Sequence, residues 1–332
     1  MDAVITWVDG SDPVHAQKRR LHAGPAFDGS DTANIPTRFD QRGEVFWALG
    51  SLLRFAPFLR RIHLLTDAQV PEGLDRFERA GLCEPGRIRV ADHRDAFRGF
   101  EDALPSFNST TIEAMLWRIP GLDEEFVYLN DDFLLLRPHA PEDFFREGRP
   151  VIRGRWTPAL PVQLKTGLRA GLRRLQGRPP ANRHNYRLTH LNAARLAGSS
   201  RGPLGGVLRR FVTYGHHPHP LRRSLFEAFW ATRPEVLARH VRHRFRDRTQ
   251  FSSIALGYHL ALASPEGAVL APPAGELILD FSKGEAPGAA RRLRESRAAS
   301  ACIQSLDLAP EDEARGIEAA VAERLGPWLP PP

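Results

Sequence analysis

Short apolar runs that end in acidic or amide residues recur along the first part of the chain. They cover residues 2–8, 61–67, 87–93 and 126–134. Each is rich in β-branched and aromatic residues, which favour strands. Between them, apolar residues at helical spacing predict a helix from Gln41 to Phe55. Thr110-x-x-Glu113 has the spacing of a capping box and predicts a second helix that runs to about Arg118. Strands that alternate with helices predict an α/β fold with a mainly parallel sheet.

The second half of the chain has a different pattern. Leucines at helical spacing, flanked by Lys165, Arg169 and Arg173, predict a basic amphipathic helix over residues 164–178. Further helices are predicted over residues 221–230, 234–243 and 251–263, and from Pro310 onward. Residues 264–298 are expected to be loops, and residues 299–304 a late strand.

The run at residues 126–134 contains the most distinctive chemistry, because it includes Asn130-Asp131-Asp132. The carboxyl edge of an open α/β sheet is where ligands bind. Two adjacent carboxylates repel each other unless a cation neutralises them, and Mg²⁺ (or Mn²⁺) prefers such oxygen ligands and shares them with phosphates. Asp131 and Asp132 are therefore candidate metal ligands. The alternative is a strand-to-turn junction in which these residues supply only turn chemistry.

The charge of the chain is unevenly distributed. Its 332 residues are 42% hydrophobic and 26% charged, which is enough for a substantial core, and the net charge is +7. Residues 148–226 contain 16 Lys and Arg but no Asp or Glu. Such a segment suggests an anionic partner. Its aromatic residues are too widely spaced to stack bases, so nucleic-acid binding is disfavoured.

Several targeting features are not seen in the sequence. No apolar run approaches the length of a membrane-spanning helix, and the start of the chain has no basic n-region of a signal peptide. The two cysteines, Cys83 and Cys302, do not form a disulfide framework. We therefore expect a cytoplasmic protein. The basic helix allows contact with the inner face of a membrane or with an anionic polymer, and the alternative is that its leucines pack on the protein's own core.

Taken together and in order, the motifs resemble the conserved blocks of the Stealth family. The motifs are Trp7–Pro13; Arg38–Asp40 with Glu44, Phe55–Pro57 and Arg61–Pro71; Leu104–Ser109, Ile112–Ala114, Arg118–Leu122 and Phe126–Asp132; Gly215–Pro220 and His243–Arg246; and Cys302–Ser305. Several blocks in the right order are more specific than any one of them.

The resemblance implies a function and a fold. Stealth proteins include bacterial capsular polysaccharide phosphotransferases and a related enzyme that tags lysosomal hydrolases. The implied reaction moves a sugar-1-phosphate from a nucleotide-diphosphate sugar, such as a UDP-hexose or UDP-N-acetylhexosamine, to a glycan hydroxyl, and it releases the nucleoside monophosphate. The implied fold is a nucleotide-diphospho-sugar transferase (GT-A-like) α/β domain with a helical elaboration. Residues 1–147 would form its first part, 148–226 a basic insertion, and 227–332 its helical completion.

The resemblance also suggests roles for particular residues. Asp131, Asp132, His216 and Arg246 are the catalytic candidates. His216 is the proposed base for the acceptor hydroxyl, since histidine titrates near neutral pH. The substrate-binding candidates are Trp7, Asp9, Arg38, Asn108, Ser109 and Asn130.

Some alternatives remain open at this stage. His217 could be the base in place of His216, and His216 with His219 could instead bind a metal. Asn108 and Ser109 could simply cap a helix. Four positions depart from the family pattern, since Phe46 and Gly50 stand where arginines are common, Gln250 where an acid is common, and Thr110 where histidine is frequent. The competing enzyme class is a metal-dependent glycosyltransferase that transfers the sugar without phosphate.

Overall fold

The computed structural model describes residues 1–23, 42–177, 185–198, 208–284 and 286–330. The strands are β1 (Asp2–Thr6), β2 (Ile62–Thr66), β3 (Ile88–Asp92), β4 (Glu125–Asn130), β5 (Phe133–Leu135), β6 (Phe145–Arg146), β7 (Arg149–Pro158), β8 (Arg210–Tyr214), β9 (His219–Arg222), β10 (Val269–Ala271), β11 (Glu276–Asp280) and β12 (Ser300–Gln304). The helices are α1 (Pro13–Ala23), α2 (Glu44–Phe55), α3 (Arg76–Arg79), α4 (His93–Ala96), α5 (Ser109–Glu113), α6 (Ala159–Leu175), α7 (Tyr186–Leu196), α8 (Arg223–Ala231), α9 (Pro234–Val241), α10 (Ser253–Ala263), α11 (Ala289–Glu295) and α12 (Glu311–Leu325).

The main sheet has five strands in the order β3-β2-β1-β4-β9. β1 to β4 are parallel, and β9 joins β4 antiparallel at the edge. The register places Thr6 opposite Asn130 and Thr66 opposite Asp92, so the carboxyl ends of the four parallel strands meet at one edge. The predicted α/β class with a mainly parallel sheet is confirmed.

Two smaller sheets flank the main one. β5 pairs antiparallel with β12, which pairs parallel with β11. β7 pairs with β6 and β8 antiparallel and with β10 parallel. β9, which lies within the predicted insertion at residues 148–226, is nevertheless a strand of the main sheet. The proposed three-part division of the chain stays a prediction.

Alternating residues of β1 pack into two separate cores, as expected for a sheet covered on both faces. Ala3 and Ile5 belong to the core that contains the apolar residues of α2 and α12. Val4 belongs to the core that contains those of α8 and α10. The buried strands are therefore apolar on both faces, which is why they read as continuous apolar runs in the sequence.

Several local predictions are wrong. The helix at residue 110 is a single turn capped by Asn108, and a separate 3₁₀ turn covers Leu116–Arg118. Thr110 lies inside α5, which Asn108 caps and Glu113 ends, so Thr110 does not start a capping box. The run at residues 126–134 is two strands in two different sheets, and residues 264–298 contain β10, β11 and α11. Within the described ranges, no helix is long and apolar enough to cross a membrane.

Candidate active site

The Asp131-Asp132 pair is the turn between β4 and β5. It therefore lies where the chain leaves the main sheet and enters the sheet formed by β5, β12 and β11. Ile303 N–H donates to the Asp132 carbonyl at 3.0 Å, and the Cys302 thiol donates to Asp132 Oδ2 at 3.4 Å. β12 thus holds the turn at the carboxyl edge of the main sheet, where the sequence placed it.

A third carboxylate approaches this turn from the first residue of α2. Burial raises the pKa of Asp131 well above its usual value, and the negative charges of Asp132 and Glu44 raise it further. Burial also raises the pKa of Glu44, opposed by backbone hydrogen bonds that include Arg42 N–H at 2.5 Å. Carboxylates crowded in this way require a proton or a cation.

The carboxylate turn has the donor atoms for a hard divalent cation but too few ligands to enclose one. Among the residues that the structure describes, no group of three or more His, Cys, Asp or Glu side chains is arranged to hold a metal ion. Two adjacent carboxylates that leave the remaining positions to substrate oxygens are nevertheless the usual Mg²⁺ arrangement. The residues present therefore fit a cation that is shared with a bound diphosphate.

Arg246 reaches the same edge from the segment between α9 and α10. Its guanidinium donates to Ser109 Oγ at 2.7 Å, so two predicted site residues from distant parts of the chain are in contact. Glu113 lies beside them. Burial raises the pKa of Glu113 to about 7, opposed by the positive charge of Arg246 and by a hydrogen bond with Tyr128.

The Tyr128 hydroxyl connects this arginine cluster to the ends of β1 and β4. It donates to Asn130 Oδ1 at 2.6 Å and lies 3.1 Å from Thr6 Oγ1. Burial raises the pKa of the Tyr128 hydroxyl well above its usual value, so it stays protonated. A continuous polar path therefore runs from Arg246 through Glu113 and Tyr128 to Asn130, which directly precedes Asp131.

Asn108 is fully buried, and its side chain holds this region together. Its Oδ1 accepts from Thr110 N–H at 3.1 Å, which caps α5. Its amide donates to the His243 carbonyl and to Gln250 Oε1, each at 2.9 Å. Gln250 in turn donates to Thr111 Oγ1 at 3.0 Å. A carboxylate at position 250 could not donate that bond, which accounts for the amide there.

The three histidines at the start of β9 face different surroundings. The β4–β9 register carries the preceding residues past the carboxyl end of β4, and the His216 ring packs edge-on against Phe133, with centroids 6.0 Å apart. His217 Nδ1 lies 3.7 Å from Glu276 Oε2. His219 is buried and bonded to the Tyr258 hydroxyl at 2.8 Å, and burial lowers its pKa well below the usual value. A metal site formed by His216 and His219 is therefore not supported within the described part of the chain.

The residues after β1 form a compact turn at the same edge. Trp7 is buried, its backbone N–H donates to the Leu65 carbonyl at 3.0 Å, and its indole N–H has no hydrogen-bond partner among the residues that the structure describes. Asp9 Oδ1 accepts from the N–H of Ser11 at 2.9 Å and from its hydroxyl at 2.6 Å. Gln69 bridges this turn to the end of β2. The predicted substrate ligand Arg38 lies outside the described residues.

The sequence of the first 151 residues carries two matches to the Stealth conserved regions. Stealth conserved region 1 matches residues 1–21, and conserved region 2 matches residues 38–151. The chain belongs to the Stealth family. The matched regions contain Trp7, Asp9, Asn108, Ser109 and Asn130 to Asp132, and they end before His216 and Arg246.

Curated relatives extend the similarity over most of the chain. An exopolysaccharide phosphotransferase of Streptomyces coelicolor is 36% identical over 78% of this chain and 25% of its own length. A second from the same organism is 35% identical over 78% and 43%. The capsular polysaccharide phosphotransferase WcwK of Streptococcus pneumoniae is 28% identical over 84% and 82%. The chain thus spans less than half the length of the two Streptomyces relatives.

Among solved structures, the galactosyltransferase LgtC aligns over 98% of this chain and 95% of its own, with 13% identity and a TM-score of 0.42. Mouse xyloside xylosyltransferase 1 aligns over 91% and 97%, with 12% identity and a TM-score of 0.37. TM-scores this low give no basis for assigning any property of these two proteins to this chain.

Sequence reasoning did not identify Glu113 and Glu44, which lie close to Arg246 and to the Asp131-Asp132 turn respectively. Both stand in the motifs that carry the family resemblance, but Glu113 was assigned only to a capping box and Glu44 was given no role. Their positions within those motifs could have identified them as candidate site residues. Their closeness to Arg246 and to the Asp131-Asp132 turn depends on the packing of α5 and α2 against the sheet.

Proposed function

We propose that this chain transfers a sugar-1-phosphate from a nucleotide-diphosphate sugar to a hydroxyl of a cell-surface polysaccharide. The observation that carries the proposal is the approach of a carboxylate turn, an arginine bonded to Ser109, and a histidine to one edge of the sheet. Phosphoryl transfer requires positioning and positive charge more than covalent participation by the protein, and these groups supply both. The names of the curated relatives support the same reaction.

The residues divide the work of the reaction as follows. The acceptor oxygen attacks the phosphorus that bears the sugar, and a new P–O bond forms. The P–O bond to the nucleoside monophosphate breaks, and its electron pair leaves on the monophosphate oxygen. His216 takes the proton of the acceptor hydroxyl. Arg246 stabilises the charge on the phosphate oxygens through its planar fork, and Glu113 orients that fork.

Asp131 and Asp132 would hold a divalent cation, Mg²⁺ or Mn²⁺. When bound, such a cation neutralises charge on the donor diphosphate. Trp7, Asp9, Arg38, Asn130 and Ser109 are proposed to contact the nucleotide sugar. Asn108 has both ends of its side chain engaged and no exposed surface, so we assign it the positioning of Ser109 and Arg246.

We also infer that α6 brings the enzyme to an anionic membrane surface from the cytoplasmic side. Five leucines along one side of α6 are between 50% and 86% exposed, namely Leu160, Leu164, Leu168, Leu172 and Leu175. The alternative that this stripe packs on the protein's own core is therefore wrong. Lys165, Arg169, Arg173 and Arg174 flank the stripe, and no acid occurs between residues 148 and 226, which suits anionic headgroups.

The decisive experiment identifies the leaving nucleotide. The protein is incubated with a panel of nucleotide sugars, Mg²⁺ and polysaccharide fragments, and the nucleotide and ³¹P signals are followed. We expect nucleoside monophosphate, a phosphodiester in the product, and retention at the untouched anomeric carbon. A released diphosphate with a phosphorus-free product would instead establish a glycosyltransferase.

Substitutions of His216 and Arg246, the proposed catalytic residues in the second half of the chain, provide a second test of the reaction. We expect His216→Ala and Arg246→Ala each to lower turnover at least about a hundredfold, the scale for a lost base or electrostatic stabiliser. Arg239→Ala, an exposed arginine on α9, is the matched control. Equal turnover in Arg246→Ala and the control would remove Arg246 from the reaction.

A further inference from the structure

The part of the chain that carries Arg246 lies between two helices. α9 ends at Val241 and α10 begins at Ser253, so residues 242–246 belong to neither helix. A segment outside helices and strands is held in place by its individual contacts. Those contacts therefore decide where the guanidinium of Arg246 lies.

The backbone of residues 242–246 accepts hydrogen bonds from residues 107–111. Asn108 Nδ2 and Thr111 Oγ1 donate to the His243 carbonyl at 2.9 Å and 2.8 Å. The Phe107 N–H donates to the Arg244 carbonyl at 2.9 Å. These three bonds attach the 242–246 segment to α5 and to the residues that precede it.

The side chain of Arg244 adds two further bonds to the same part of the chain. Its Nη2 donates to the carbonyls of Asp102 and Leu104, each at 2.9 Å. Hydrogen bonds from a charged donor are stronger than those between neutral groups. Residue 244 thus contributes three hydrogen bonds to this junction, two through its side chain and one through its carbonyl.

The next two residues complete the junction. The Phe245 ring stacks on the buried Phe107 ring, with centroids 5.4 Å apart. Arg246 then donates to Ser109 Oγ at 2.7 Å. Every residue from 243 to 246 therefore contacts residues 102–111, and Arg246 is the last of the four.

We propose that Arg244 is a positioning residue, which fixes the Arg246 guanidinium where it can bind phosphate oxygens. This inference rests on the proposed sugar-phosphate transfer, in which Arg246 stabilises the charge on those oxygens. Arg244 acts through Arg246, because its own guanidinium is bonded to the Asp102 and Leu104 carbonyls.

The geometry of the Arg244 bonds predicts which substitution preserves the junction. Both bonds come from a single nitrogen. An ammonium group has three hydrogens and can also donate to two carbonyls from one nitrogen. Arg244→Lys should therefore keep the junction, whereas Arg244→Ala removes its side-chain bonds.

The experiment measures binding of inorganic pyrophosphate with Mg²⁺ to the whole chain by calorimetry. We expect Arg246→Ala to weaken binding about tenfold, the scale of a lost hydrogen bond from a charged group. Arg244→Ala should weaken it about threefold to tenfold, and Arg244→Lys should stay within about twofold of wild type. Arg242→Ala is the matched control, since this neighbouring guanidinium is 67% exposed and lies 3.8 Å from the Asp102 carboxylate.

Calorimetry also separates positioning from a loss of folded protein. Unfolding of part of the sample would lower the number of sites per chain and leave the affinity unchanged. Displacement of Arg246 would lower the affinity and leave the number of sites unchanged. If Arg244 acts through Arg246, the double variant Arg244→Ala/Arg246→Ala should bind within about twofold of Arg246→Ala alone.

The outcomes distinguish this inference from the proposed reaction. If Arg246→Ala weakens binding but Arg244→Ala does not, or if the two losses add in the double variant, the positioning role is overturned and the reaction stands. If affinities follow the expected pattern but no nucleotide sugar releases its monophosphate, the reaction fails and the positioning role stands. No binding by wild type, or equal binding by wild type and Arg246→Ala, overturns both.

Discussion

At the scale of single residues, the candidate site depends on carboxyl groups whose ionisation the fold changes. Glu113 illustrates this. In the unfolded chain it is an ordinary glutamate. In the folded protein it is partly buried beside Arg246 and Tyr128, and burial raises its pKa from 4.5 to about 7. The folded state therefore holds a proton that the unfolded state has released.

This shift predicts a pH dependence of stability. Because the folded pKa is the higher one, the contribution of Glu113 is favourable below about pH 4.5, and it is lost as pH rises through about 7. Glu113→Gln stays neutral, so we expect its melting temperature to gain on that of wild type between pH 5 and pH 8. Thermal denaturation across this range tests it, with Glu235→Gln as control. Parallel curves for wild type and Glu113→Gln would show that Glu113 ionises as it does in water.

At the scale of elements, α2 shows why one position departs from the family pattern. A Cβ at Gly50 would lie 2.5 Å from the Trp328 carbonyl oxygen, because the turn Gly326–Trp328 packs directly on the helix. The position where arginine is common in the family is thus closed to any side chain in this protein.

Gly50→Ala should therefore destabilise the protein, although alanine favours a helix interior by about 1 kcal/mol. Forcing a methyl group against backbone costs about 1–3 kcal/mol, so we expect a net loss of up to about 2 kcal/mol. Gly167→Ala in α6 is the matched control, since a Cβ there meets nothing within 4 Å, and it should not destabilise. Urea unfolding midpoints measure both changes. A midpoint for Gly50→Ala equal to or above wild type would contradict the close packing.

The exposed stripe of α6 makes a second prediction at this scale. Leu168 is 68% exposed, so Leu168→Glu removes no core packing and should leave the melting temperature unchanged. Wild type should co-sediment with phosphatidylglycerol vesicles at low salt and lose this binding at high salt. Leu168→Glu should abolish the binding at low salt. Phosphatidylcholine vesicles are the control. Equal sedimentation of both proteins, or no binding by wild type, would leave α6 without a membrane role.

At the scale of the whole molecule, the Asp131-Asp132 turn joins two sheets and concentrates negative charge at their junction. A cation bound there in the folded state alone would stabilise the entire chain, by about 2.7 kcal/mol at a hundred times its Kd. We expect Mg²⁺ or Mn²⁺ to raise the melting temperature, and more so at pH 8 than at pH 6, because the cation must displace a proton from Asp131.

The variant Asp131→Asn should lose both this thermal shift and several orders of magnitude in turnover, with its fold retained. Asp75→Asn, an exposed aspartate, is the control. Full turnover in the presence of EDTA would exclude the cation from the reaction.

The sequence by itself determined the strands β1 to β4, the α/β class and the chemistry at the strand ends. These properties are local, since an apolar run followed by Asn or Asp records both a buried strand and its end. The motif order also sufficed to name His216, Arg246 and the Asp131-Asp132 pair as site candidates. The residues that these candidates contact could not be predicted from the motif order.

The tertiary structure decided everything that depends on partners distant in the chain. It directed β5 into a different sheet from β4, brought Arg246 to Ser109, and raised the pKa of Glu113 by burial. It also formed β7, which was not predicted because this partly buried strand contains charged and Pro residues and has no continuous apolar run. It also left the leucines of α6 exposed, where their spacing alone fitted a buried face equally well. The physical reason is that a residue pattern records which surface is apolar, whereas burial, pairing and ionisation depend on what packs against that surface.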